Sequence, residues 1–294
     1  MQPMVFNWEA GDALVDGLTA HLDAQRGTLE RRRFPDGESY VRVMDECAGR
    51  PVILAAGLSP PDERLLPLLL AAATLRDLGA ASIGLACPYL PYMRQDAAYH
   101  SGEGVTARYV ARLIGLHFDW LATIDPHLHR VDSLDAVYTM PTAVLHAAPA
   151  IAGWVRDAIK TPVFIGPDSE SEQWVGAVAR HCVAPVVVLE KQRHGDRSVE
   201  VSVPALGPWS DRTPVLVDDI ISSGQTMVQA LRGVVGQTAA APVCIAVHGV
   251  FADGAERDLE AAGASRVVTT NTVAHPTNAI DVAGLLAEGC TRFL

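Results

Sequence analysis

The sequence predicts an α/β protein with two domains, each a mostly parallel sheet flanked by helices. Short apolar runs alternate with helical patterns along the chain, as in βαβ units. A length of 294 residues is enough for two domains of ordinary size. The alternation restarts after a segment bounded by prolines at 141–149, so we place the domains at 1–145 and 146–294. We expect the last residues of the chain to pack back on the N-terminal domain.

In the first half, strands and helices are predicted to follow one another without interruption. Apolar runs indicate the strands, and apolar residues at helical spacing indicate the helices. Pro67 fits the first of these helices only in its first turn, because an interior proline removes a backbone hydrogen bond. On one face of the next helix we expect Tyr109, Val110, Leu113 and Ile114. The predicted elements are a strand at 51–57, a helix at 65–78, a strand at 81–87, a helix at 106–116 and a strand at 121–125.

The second half repeats this layout, although its residues do not align with the first half as a sequence repeat. Helices are predicted to open near Ser169–Glu172 and at Thr226. The predicted strands lie at 162–166, 185–189, 215–217, 243–247 and 266–269.

Composition excludes several classes of function. Hydrophobic residues make up 49% and charged residues 19% of the chain, which is typical of globular proteins. The net charge of −11 argues against nucleic acid as a partner, because duplex binding depends on Lys and Arg. No apolar run reaches the roughly 18 residues of a membrane span, and the N-terminus lacks the features of a signal peptide. We therefore expect a cytoplasmic protein that binds neither nucleic acid nor membrane.

The cysteines and lysines are informative through their positions. Five scattered cysteines without a C-x-x-C pair indicate neither a disulfide framework nor a zinc site, and they resemble small core residues, with Cys290 near the terminus the exception. The chain has 21 arginines but only two lysines, Lys160 and Lys191. A lysine kept in an arginine-rich sequence indicates a need for a compact ammonium. Lys160 precedes a strand and fits a surface position, whereas Lys191 is a candidate functional residue.

Residues 213–228 carry the strongest functional pattern. An apolar run suited to a buried strand ends in Asp218 and Asp219, and a loop of hydroxyls and one glycine leads into an amphipathic helix. Hydroxyls and free N–H groups at a helix N-terminus converge on an anion such as phosphate. The two carboxylates can accept hydrogen bonds from vicinal hydroxyls. The pattern therefore predicts a sugar-phosphate site; the structural alternative is a buried αβ unit with an acidic strand end.

This segment resembles the PRPP-binding loop shared by phosphoribosyltransferases and ribose-phosphate diphosphokinases. The resemblance implies two domains of type I phosphoribosyltransferase-like fold. It also implies that Asp218 and Asp219 hold the ribose 2- and 3-hydroxyls. The residues that the resemblance assigns to the 5-phosphate are Ser222, Ser223, Gly224, Gln225 and Thr226.

The segment Phe34–Arg42 resembles a diphosphokinase segment that reaches the ATP of a neighbouring subunit and contacts adenine. This resemblance assigns Phe34, Asp36 and Glu38 to ATP binding. The local alternative is a Pro-Asp-Gly turn between strands. If the resemblance holds, the protein is a homodimer or a higher homo-oligomer with an ATP site shared between subunits.

Pro88–Asp96 resembles the Pro-Tyr-x-Pro-Tyr-x-Arg-Gln-Asp motif of the same family. A stiff turn after a strand would aim Arg94 at phosphate oxygens, beside Gln95 and Asp96, which are also assigned to ATP. The local alternative is a rigid surface loop. The sequence departs from the family after Asp96, where 97–100 lack further basic residues. In the following Gly102–Thr106 segment, an acid and a hydroxyl suit capping of the next helix.

Two segments resemble the family's magnesium ligands. Asp125-Pro126-His127 follows a strand and matches the family's Asp-Leu-His segment, which makes His127 a Mg²⁺ ligand; His129 is a second, less well aligned candidate. Gly166-Pro167-Asp168 matches the family's Ser/Gly-Pro-Asp, which makes Asp168 a second Mg²⁺ ligand or a ligand on the ribose side. Magnesium prefers oxygen, so the imidazole assignment depends on the resemblance alone. The glycines usual after Asp168 are replaced at 169–172 by serines and glutamates.

Lys191 and Arg193 match the Lys-x-Arg segment of the diphosphokinases. They follow a predicted strand and precede a polar stretch at 194–198, so we expect a mobile loop. Two cations on such a loop could close over a polyphosphate and stabilise charge that develops on it. The resemblance makes Lys191, Arg193 and Arg94 the catalytic cations.

Taken together, these segments imply a ribose-phosphate diphosphokinase that uses Mg²⁺. Such an enzyme transfers the diphosphoryl group of ATP to the 1-hydroxyl of ribose 5-phosphate and gives PRPP and AMP. A phosphoribosyltransferase would explain residues 213–228 equally well, but not the ATP-side segments. A non-catalytic regulatory paralogue is the third reading, supported only by the departures after Asp96 and Asp168.

Overall fold

The computed structural model describes residues 1–128, 133–169, 171–194, 198–202 and 205–294, and divides the chain into two compact units. Unit 1 comprises Met1–His146, Thr272–Ala274 and Val282–Leu294. Unit 2 comprises Ala147–Asn271 and His275–Asp281. The sequence-based boundary at 145/146 lies beside the change from unit 1 to unit 2, and the C-terminal residues belong to unit 1.

Unit 1 is built on a parallel sheet. Among the described residues its strand order is β2-β1-β5-β6-β7-β8, and a separate antiparallel hairpin, β3–β4, precedes β5. The elements are β1 (Met4–Trp8), α1 (Asp12–His21), β2 (Gln25–Gly27), β3 (Leu29–Arg33), β4 (Ser39–Val43), β5 (Pro51–Ala56), α2 (Asp62–Asp77), β6 (Ser82–Ala86), α3 (Thr106–Gly115), β7 (Trp120–Ile124) and β8 (Thr142–Leu145).

Unit 2 is built on a second parallel sheet. Its described strands have the order β10-β9-β13-β14-β15-β16, and the antiparallel hairpin β11–β12 precedes β13. The elements are α4 (Ala148–Ala158), β9 (Pro162–Gly166), α5 (Glu172–Cys182), β10 (Val186–Val188), β11 (Glu190–His194), β12 (Ser198–Ser202), β13 (Thr213–Ile221), α6 (Gln225–Val234), β14 (Val243–Gly249), α7 (Ala255–Ala261), β15 (Arg266–Thr270) and β16 (Asn278–Ile280).

The final helix, α8 (Ala283–Thr291), belongs to unit 1 and packs beside α1 and against β7 and β8. Gly289 permits this approach, because a Cβ there would lie 2.4 Å from Leu145 Cδ2. The helix also buries Cys290 completely, and burial raises the pKa of its thiol to about 12. The expectation that Cys290 is an exception among core cysteines is therefore wrong.

The two sheets have the same topology. In each sheet, the chain first forms the strand next to the edge, then a helix, and then the edge strand itself. An antiparallel hairpin follows. The chain then forms the third strand of the sheet, a helix and the fourth strand. The predicted α/β class with parallel sheets is confirmed. The shared strand order also identifies β5 as the counterpart of β13, and the β3–β4 hairpin as the counterpart of β11–β12.

The structure corrects two expectations about unit 1 helices. Helix α2 begins at Asp62, so Pro67 lies inside the helix beyond its first turn. The carbonyl that Pro67 leaves without an N–H donor is that of Glu63, and Arg33 Nη2 donates to it at 3.4 Å. On α3, Val110 and Ile114 are buried, but Tyr109 and Leu113 are about half exposed.

Each unit has its own apolar core beside its sheet. In unit 1 it includes Met4, Phe6 and Leu54, and in unit 2 it includes Ile165 and Leu216. Within the described part of the chain, no helix combines the length and the apolar content needed to cross a bilayer.

Candidate active site

The turn between β13 and α6 gathers the residues of the predicted sugar-phosphate site. The prediction that the strand ends at the acids is wrong, because β13 continues to Ile221 and Asp218 pairs in register with Ala246 of β14. The carboxylates bond locally: Asp219 N donates to Asp218 Oδ1 at 3.0 Å, and Ile220 N donates to Asp219 Oδ1 at 2.8 Å. Both acids are thus fixed on a strand rather than on a free loop.

The loop after β13 leads directly into the N-terminus of α6. Gly224 precedes this helix with φ of 71°, a left-handed conformation that glycine adopts without the cost that a Cβ would add. The loop is anchored through its carbonyls, because Val250 N donates to Ile221 O at 2.9 Å and Ala252 N donates to Ser222 O at 3.1 Å. The first N–H groups of a helix have no intrahelical acceptor. No described side chain caps α6, so these donors are suited to an anion.

The 5-phosphate candidates differ in accessibility along this loop. Ser223 and Gln225 are exposed, Ser222 and Thr226 are partly buried, and Gly224 is buried. The helix carries no acidic residue in its first turn that would oppose an anion. The structure therefore brings all five residues to one helix N-terminus, next to Asp218 and Asp219.

Among the acids of this site, Asp218 has the most strongly shifted pKa. Burial raises its pKa well above the ordinary value, and the negative charges of Asp219 and Asp168 raise it further. The structure thus brings the three predicted acids of unit 2 close enough for the charges of Asp219 and Asp168 to act on Asp218. Hydroxyl donors or a cation would relieve this repulsion.

Asp168 is held in a tight turn after β9. Its Oδ1 accepts from Ser171 N at 3.1 Å, and Ser171 Oγ donates to the Asp168 carbonyl at 2.6 Å. Asp168 is only 8% exposed. Ser171 thus fixes the turn, and α5 begins at the next residue.

Lys191 and Arg193 lie on β11, the first strand of the β11–β12 hairpin. In its register Lys191 faces Val201 and Arg193 faces Val199. The two cations thus lie on an antiparallel ladder, and the expected mobility of this segment stays a prediction. The side chains of both cations lie outside what the structure describes, and their catalytic role stays a prediction. His129 also lies outside the described residues.

In unit 1, the tip of the β3–β4 hairpin carries Phe34, Asp36 and Glu38. The turn is closed by Phe34 N donating to Glu38 O at 2.8 Å and Gly37 N donating to Phe34 O at 2.9 Å. Asp36 Oδ1 also accepts from Glu38 N at 3.2 Å. All three candidates are exposed, and Phe34 keeps 39% of its surface accessible. The local reading as a turn between strands is correct, and it leaves these side chains available to a ligand.

Sequence reasoning missed Arg32, which organises this hairpin. Its guanidinium carbon lies 4.5 Å from the ring centroid of Phe34 and 4.2 Å from that of Tyr40. The two rings meet edge to face with centroids 6.1 Å apart. Arg32 therefore stacks against both aromatics and fixes the Phe34 ring. An arginine two residues before a phenylalanine gives no distinctive signal in sequence.

Arg94 is exposed on the loop after β6, between residues that anchor it. Met93 is buried, and Tyr92 has φ of 65° and donates its hydroxyl to Asp62. Burial first, and then this bond to Asp62, raise the pKa of Tyr92 to about 12. The rigid turn predicted for Pro88–Asp96 thus has a physical cause in its two anchors.

Gln95 joins the Arg94 loop to α3. Its carbonyl accepts from Ala107 N at 3.3 Å, and its side chain accepts from Thr106 Oγ1 at 3.3 Å. Glu103 instead accepts from Tyr99 N at 2.7 Å and from His100 N at 3.1 Å. The expected capping of α3 by Glu103 and Thr106 is therefore wrong: both side chains fix the preceding loop.

His127 follows β7 and is partly buried. Within the described part of the chain, no group of three or more His, Cys, Asp or Glu side chains could hold a metal alone. Two residues earlier, Asp125 is 4% exposed and has φ of 36°. His146 Nδ1 bonds Asp125 Oδ1 at 2.8 Å, and this bond raises the pKa of His146. His146 follows a different strand, so no local sequence pattern points to the pair.

Two family comparisons cover the chain. Residues 3–116 match the N-terminal domain of ribose phosphate pyrophosphokinase, and residues 133–283 match the phosphoribosyl transferase domain. The ribose-phosphate pyrophosphokinase of Methanopyrus kandleri is 33% identical over 273 residues, 92% of each chain. That of Methanothermobacter thermautotrophicus is 33% identical over 287 residues, 97% of this chain and 99% of its own.

A solved structure shows the same relationship. The phosphoribosylpyrophosphate synthetase from Mycobacterium smegmatis superposes with a TM-score of 0.84 at 26% identity, and covers 98% of this chain and 97% of its own. The sequence resemblance, the uncapped helix N-terminus after β13 and these matches over nearly the whole chain all indicate the same family. The chain belongs to the ribose-phosphate pyrophosphokinase family.

Proposed function

We propose that this chain makes PRPP and AMP from ATP and ribose 5-phosphate. The observation that carries the proposal is the β13–α6 turn, where two fixed acids stand beside a helix N-terminus without a side-chain cap. The exposed hairpin tip of unit 1 and the Arg94 loop add the ATP-side residues that a phosphoribosyltransferase lacks. Family membership supports the same reaction.

Ribose 5-phosphate would bind at the β13–α6 turn. Asp218 and Asp219 accept hydrogen bonds from the 2- and 3-hydroxyls, which satisfies carboxylates that otherwise repel one another. The 5-phosphate takes the N–H and hydroxyl donors of residues 222–226. This arrangement leaves the 1-hydroxyl as the reacting group of the sugar.

ATP would be bound by Phe34, Asp36 and Glu38 of the hairpin tip and by Arg94, Gln95 and Asp96. The sugar 1-oxygen attacks the β-phosphorus of ATP, the bond from that phosphorus to the α,β-bridging oxygen breaks, and AMP leaves with the electron pair. The hydroxyl proton passes to solvent. Such transfer depends on positioning and electrostatics, so Lys191, Arg193 and Arg94 would stabilise the charge on the phosphoryl oxygens.

Asp168 in unit 2 and His127 in unit 1 are each proposed, separately, as a ligand of magnesium. Asp168 fits, because its carboxylate belongs to an acidic cluster whose charges repel one another and because Mg²⁺ prefers oxygen. Magnesium commonly binds through one or two carboxylates together with substrate phosphates, so a complete protein cage is unnecessary. When bound, it would neutralise charge on the polyphosphate. His127 supplies nitrogen, which makes Asp168 the stronger assignment.

A homodimer or higher homo-oligomer is proposed as the active form, with the hairpin tip completing the ATP site of a neighbouring subunit. Exposed apolar side chains support an assembly: Leu66 and Leu70 lie four residues apart on α2, and Tyr109 and Leu113 four apart on α3. These side chains are 42–63% exposed. Burial of such rows between subunits would remove apolar surface from water.

One assay separates the possible activities. The protein is incubated with ATP, Mg²⁺ and ribose 5-phosphate, and AMP and PRPP are quantified. Equal amounts of AMP and PRPP are expected. No turnover with retained PRPP binding would indicate a phosphoribosyltransferase, and no turnover without PRPP binding would indicate a non-catalytic paralogue.

A further inference from the structure

The backbone just after β1 is held in a conformation that favours glycine. Glu9, the residue after this strand, has φ of 59°, in the left-handed region. The neighbouring strand fixes this conformation, because Gly57 N donates to Trp8 O at 2.8 Å and Glu9 forms an antiparallel bridge with Ala56. A Cβ at Gly57 would lie 2.0 Å from Glu9 O. Glycine would fit position 9 at lower cost, so the glutamate calls for a reason in its side chain.

The carboxylate of Glu9 joins two guanidinium groups from different elements. Its Oε1 accepts from Arg31 Nη1 at 2.9 Å, and its Oε2 lies 2.7 Å from Arg64 Nε. Arg31 belongs to β3 of the hairpin, and Arg64 to the first turn of α2. The three side chains are only 27–38% exposed, so water screens these ion pairs incompletely. A network of this kind contributes more than an isolated surface pair.

Further contacts hold both arginines in place. The guanidinium carbon of Arg31 lies 4.7 Å from the Trp8 ring centroid, and Trp8 Nε1 donates to Arg64 O at 3.3 Å. Arg64 Nη1 donates to Gly57 O at 2.9 Å. Glu9 therefore binds partners that are already oriented. Without its charge, two guanidinium groups would stand close together with no anion between them, and they would repel one another.

Side chains, rather than a backbone ladder, set the direction of the β3–β4 hairpin. In the described part of the chain its two strands pair with each other and with no strand of the six-stranded sheet. Apolar residues at its base, Leu29, Val41 and Val43, pack against the core of unit 1. Arg31 lies between this base and the tip that begins at Phe34. Its link to Glu9 is therefore placed to fix the outer half of the hairpin.

The first turn of α2 also contacts the second segment proposed for ATP. Asp62 accepts the hydroxyl of Tyr92 from the Arg94 loop, and the carbonyl of Glu63 accepts from Arg33 Nη2 of the hairpin at 3.4 Å. One helical turn thus contacts both ATP-side segments of unit 1. An anchor between the hairpin and this turn would keep the hairpin tip in a fixed relation to the rest of the unit.

We propose that Glu9 is a positioning residue for ATP binding, because its carboxylate fixes the hairpin tip through Arg31 and Arg64. The inference rests on the proposed function of the tip residues Phe34 and Glu38. Glu9 acts through the hairpin and does not touch ATP. Its loss should therefore weaken ATP binding and leave sugar binding and the chemical step unaltered.

The test compares Glu9→Gln with Glu30→Gln in the complete protein. Glu30 is the matched control, because it also pairs with a hairpin arginine, Arg42 at 3.5 Å, but within the hairpin itself. Glu9→Gln should raise the KM for ATP at least about threefold, with kcat and the KM for ribose 5-phosphate within about twofold of wild type. Glu30→Gln should leave all three unchanged. An unchanged KM for ATP, or equal rises in both KM values, would overturn the proposal.

A second variant tests whether Glu9 acts through Arg31. Arg31→Gln should raise the KM for ATP to a similar extent, and the double variant should be no worse than the worse single variant, because both changes break the same link. Additive losses would show that the two residues act separately and would contradict the proposal. Arg31→Gln also carries the test if Glu9→Gln fails to fold.

Amide hydrogen exchange of residues 29–43 separates this proposal from the proposed function. Faster exchange is expected in Glu9→Gln than in the wild type or in Glu30→Gln, whether or not PRPP is formed, because a hairpin that loses an anchor opens more often. Unchanged exchange would overturn the positioning role. A wild type that forms neither AMP nor PRPP would instead contradict the proposed function.

Discussion

The third strands of the two sheets are followed by turns of opposite chemical character. After β5 the chain reaches α2 through Pro61 at the N-cap, and Asp62 and Glu63 occupy the first turn of the helix. After β13 it reaches α6 through Gly224, and the first turn carries no acid. The strand order around both turns is the same.

This comparison teaches that topology places a site and local residues decide its ligand. Proline lacks a backbone N–H, and acids at a helix N-terminus compensate the positive end of the dipole. The positive end of the α2 dipole, at its N-terminus, is therefore already compensated by Asp62 and Glu63. The α6 terminus keeps its N–H donors and its positive potential, as a phosphate requires.

The hairpins extend the comparison. Each precedes the third strand of its sheet, but β3–β4 presents an aromatic and two acids at its tip, whereas β11 carries Lys191 and Arg193. A hairpin at the same place in each sheet is thus proposed to recognise the base in one half of the chain and to neutralise charge in the other.

The largest expected effect tests the β11–β12 hairpin. Lys191→Ala should lower kcat by about two orders of magnitude or more, because the loss of one stabilising cation costs roughly 3 to 4 kcal/mol of barrier. Binding of ribose 5-phosphate should stay nearly intact. Steady-state kinetics and a ribose 5-phosphate titration measure both. Lys160→Ala removes the other lysine, at an exposed position, and should leave kcat unchanged. An unchanged kcat for Lys191→Ala would contradict the role assigned to Lys191.

The next effect tests the β13–α6 turn. Gly224→Ala should raise the KM for ribose 5-phosphate by about tenfold, because a Cβ at φ of 71° costs roughly 1 to 2 kcal/mol and displaces the N–H donors. Gly236 is the matched control, with φ of 82° and no described atom within 4 Å of the position that a Cβ would take. Gly236→Ala should lower the melting temperature similarly but leave KM unaltered. Equal KM values for both variants would mean that the turn does not hold the phosphate.

A smaller effect tests the β3–β4 hairpin. Arg32→Ala should raise the KM for ATP about threefold to tenfold with little change in kcat, because the cation–π contacts of Arg32 with Phe34 and with Tyr40 are lost. Arg32→Lys should recover part of the loss, and Arg112→Ala should have no effect. A fall in kcat at constant KM would argue against adenine contact by this hairpin.

The smallest expected effect concerns two side-chain pairs that lie at equivalent places, just after neighbouring strands of each sheet. After β7 and β8, Asp125 pairs with His146, and after β15 and β16, Asn271 Nδ2 donates to Asp281 Oδ1 at 2.7 Å. The backbone contact is also repeated, from Asp125 N to Leu145 O at 2.9 Å and from Asn271 N to Ile280 O at 3.0 Å. Only the first of these two pairs contains an imidazole, and its pKa is raised by the hydrogen bond to Asp125.

Asp125 raises the pKa of His146 in the folded protein above the ordinary value of 6.5. The pair therefore contributes fully to folding stability below pH 6.5, and this contribution is lost as pH rises through the pKa of folded His146. His146→Ala should therefore destabilise more at pH 6 than at pH 8, by at most about 1 kcal/mol since the ring is largely exposed. Melting temperatures at both pH values measure this. Asn271→Ala should show the same loss at both. A pH-independent loss for His146→Ala would refute the charged pairing.

Sequence patterns predicted the buried strands well because parallel strands covered on both faces are continuous apolar runs. The same reasoning failed where tertiary contacts decided the outcome. Pro67 is tolerated inside α2 with an arginine from the hairpin on the carbonyl that it frees. Tyr109 and Leu113 share a helical pattern with buried residues but remain exposed, because periodicity does not reveal which partners cover a face.

The sequence by itself determined the α/β class, the family, the acids and hydroxyls of the β13–α6 turn and the identities of the candidate cations. These depend on short segments whose residues are contiguous. Only the tertiary structure revealed the matching order of the two sheets, the stacking of Arg32, the Asp125–His146 pair and the link from Glu9 to Arg31 and Arg64. Each of these joins residues from different elements, and their proximity is set by strand order and packing rather than by spacing along the chain.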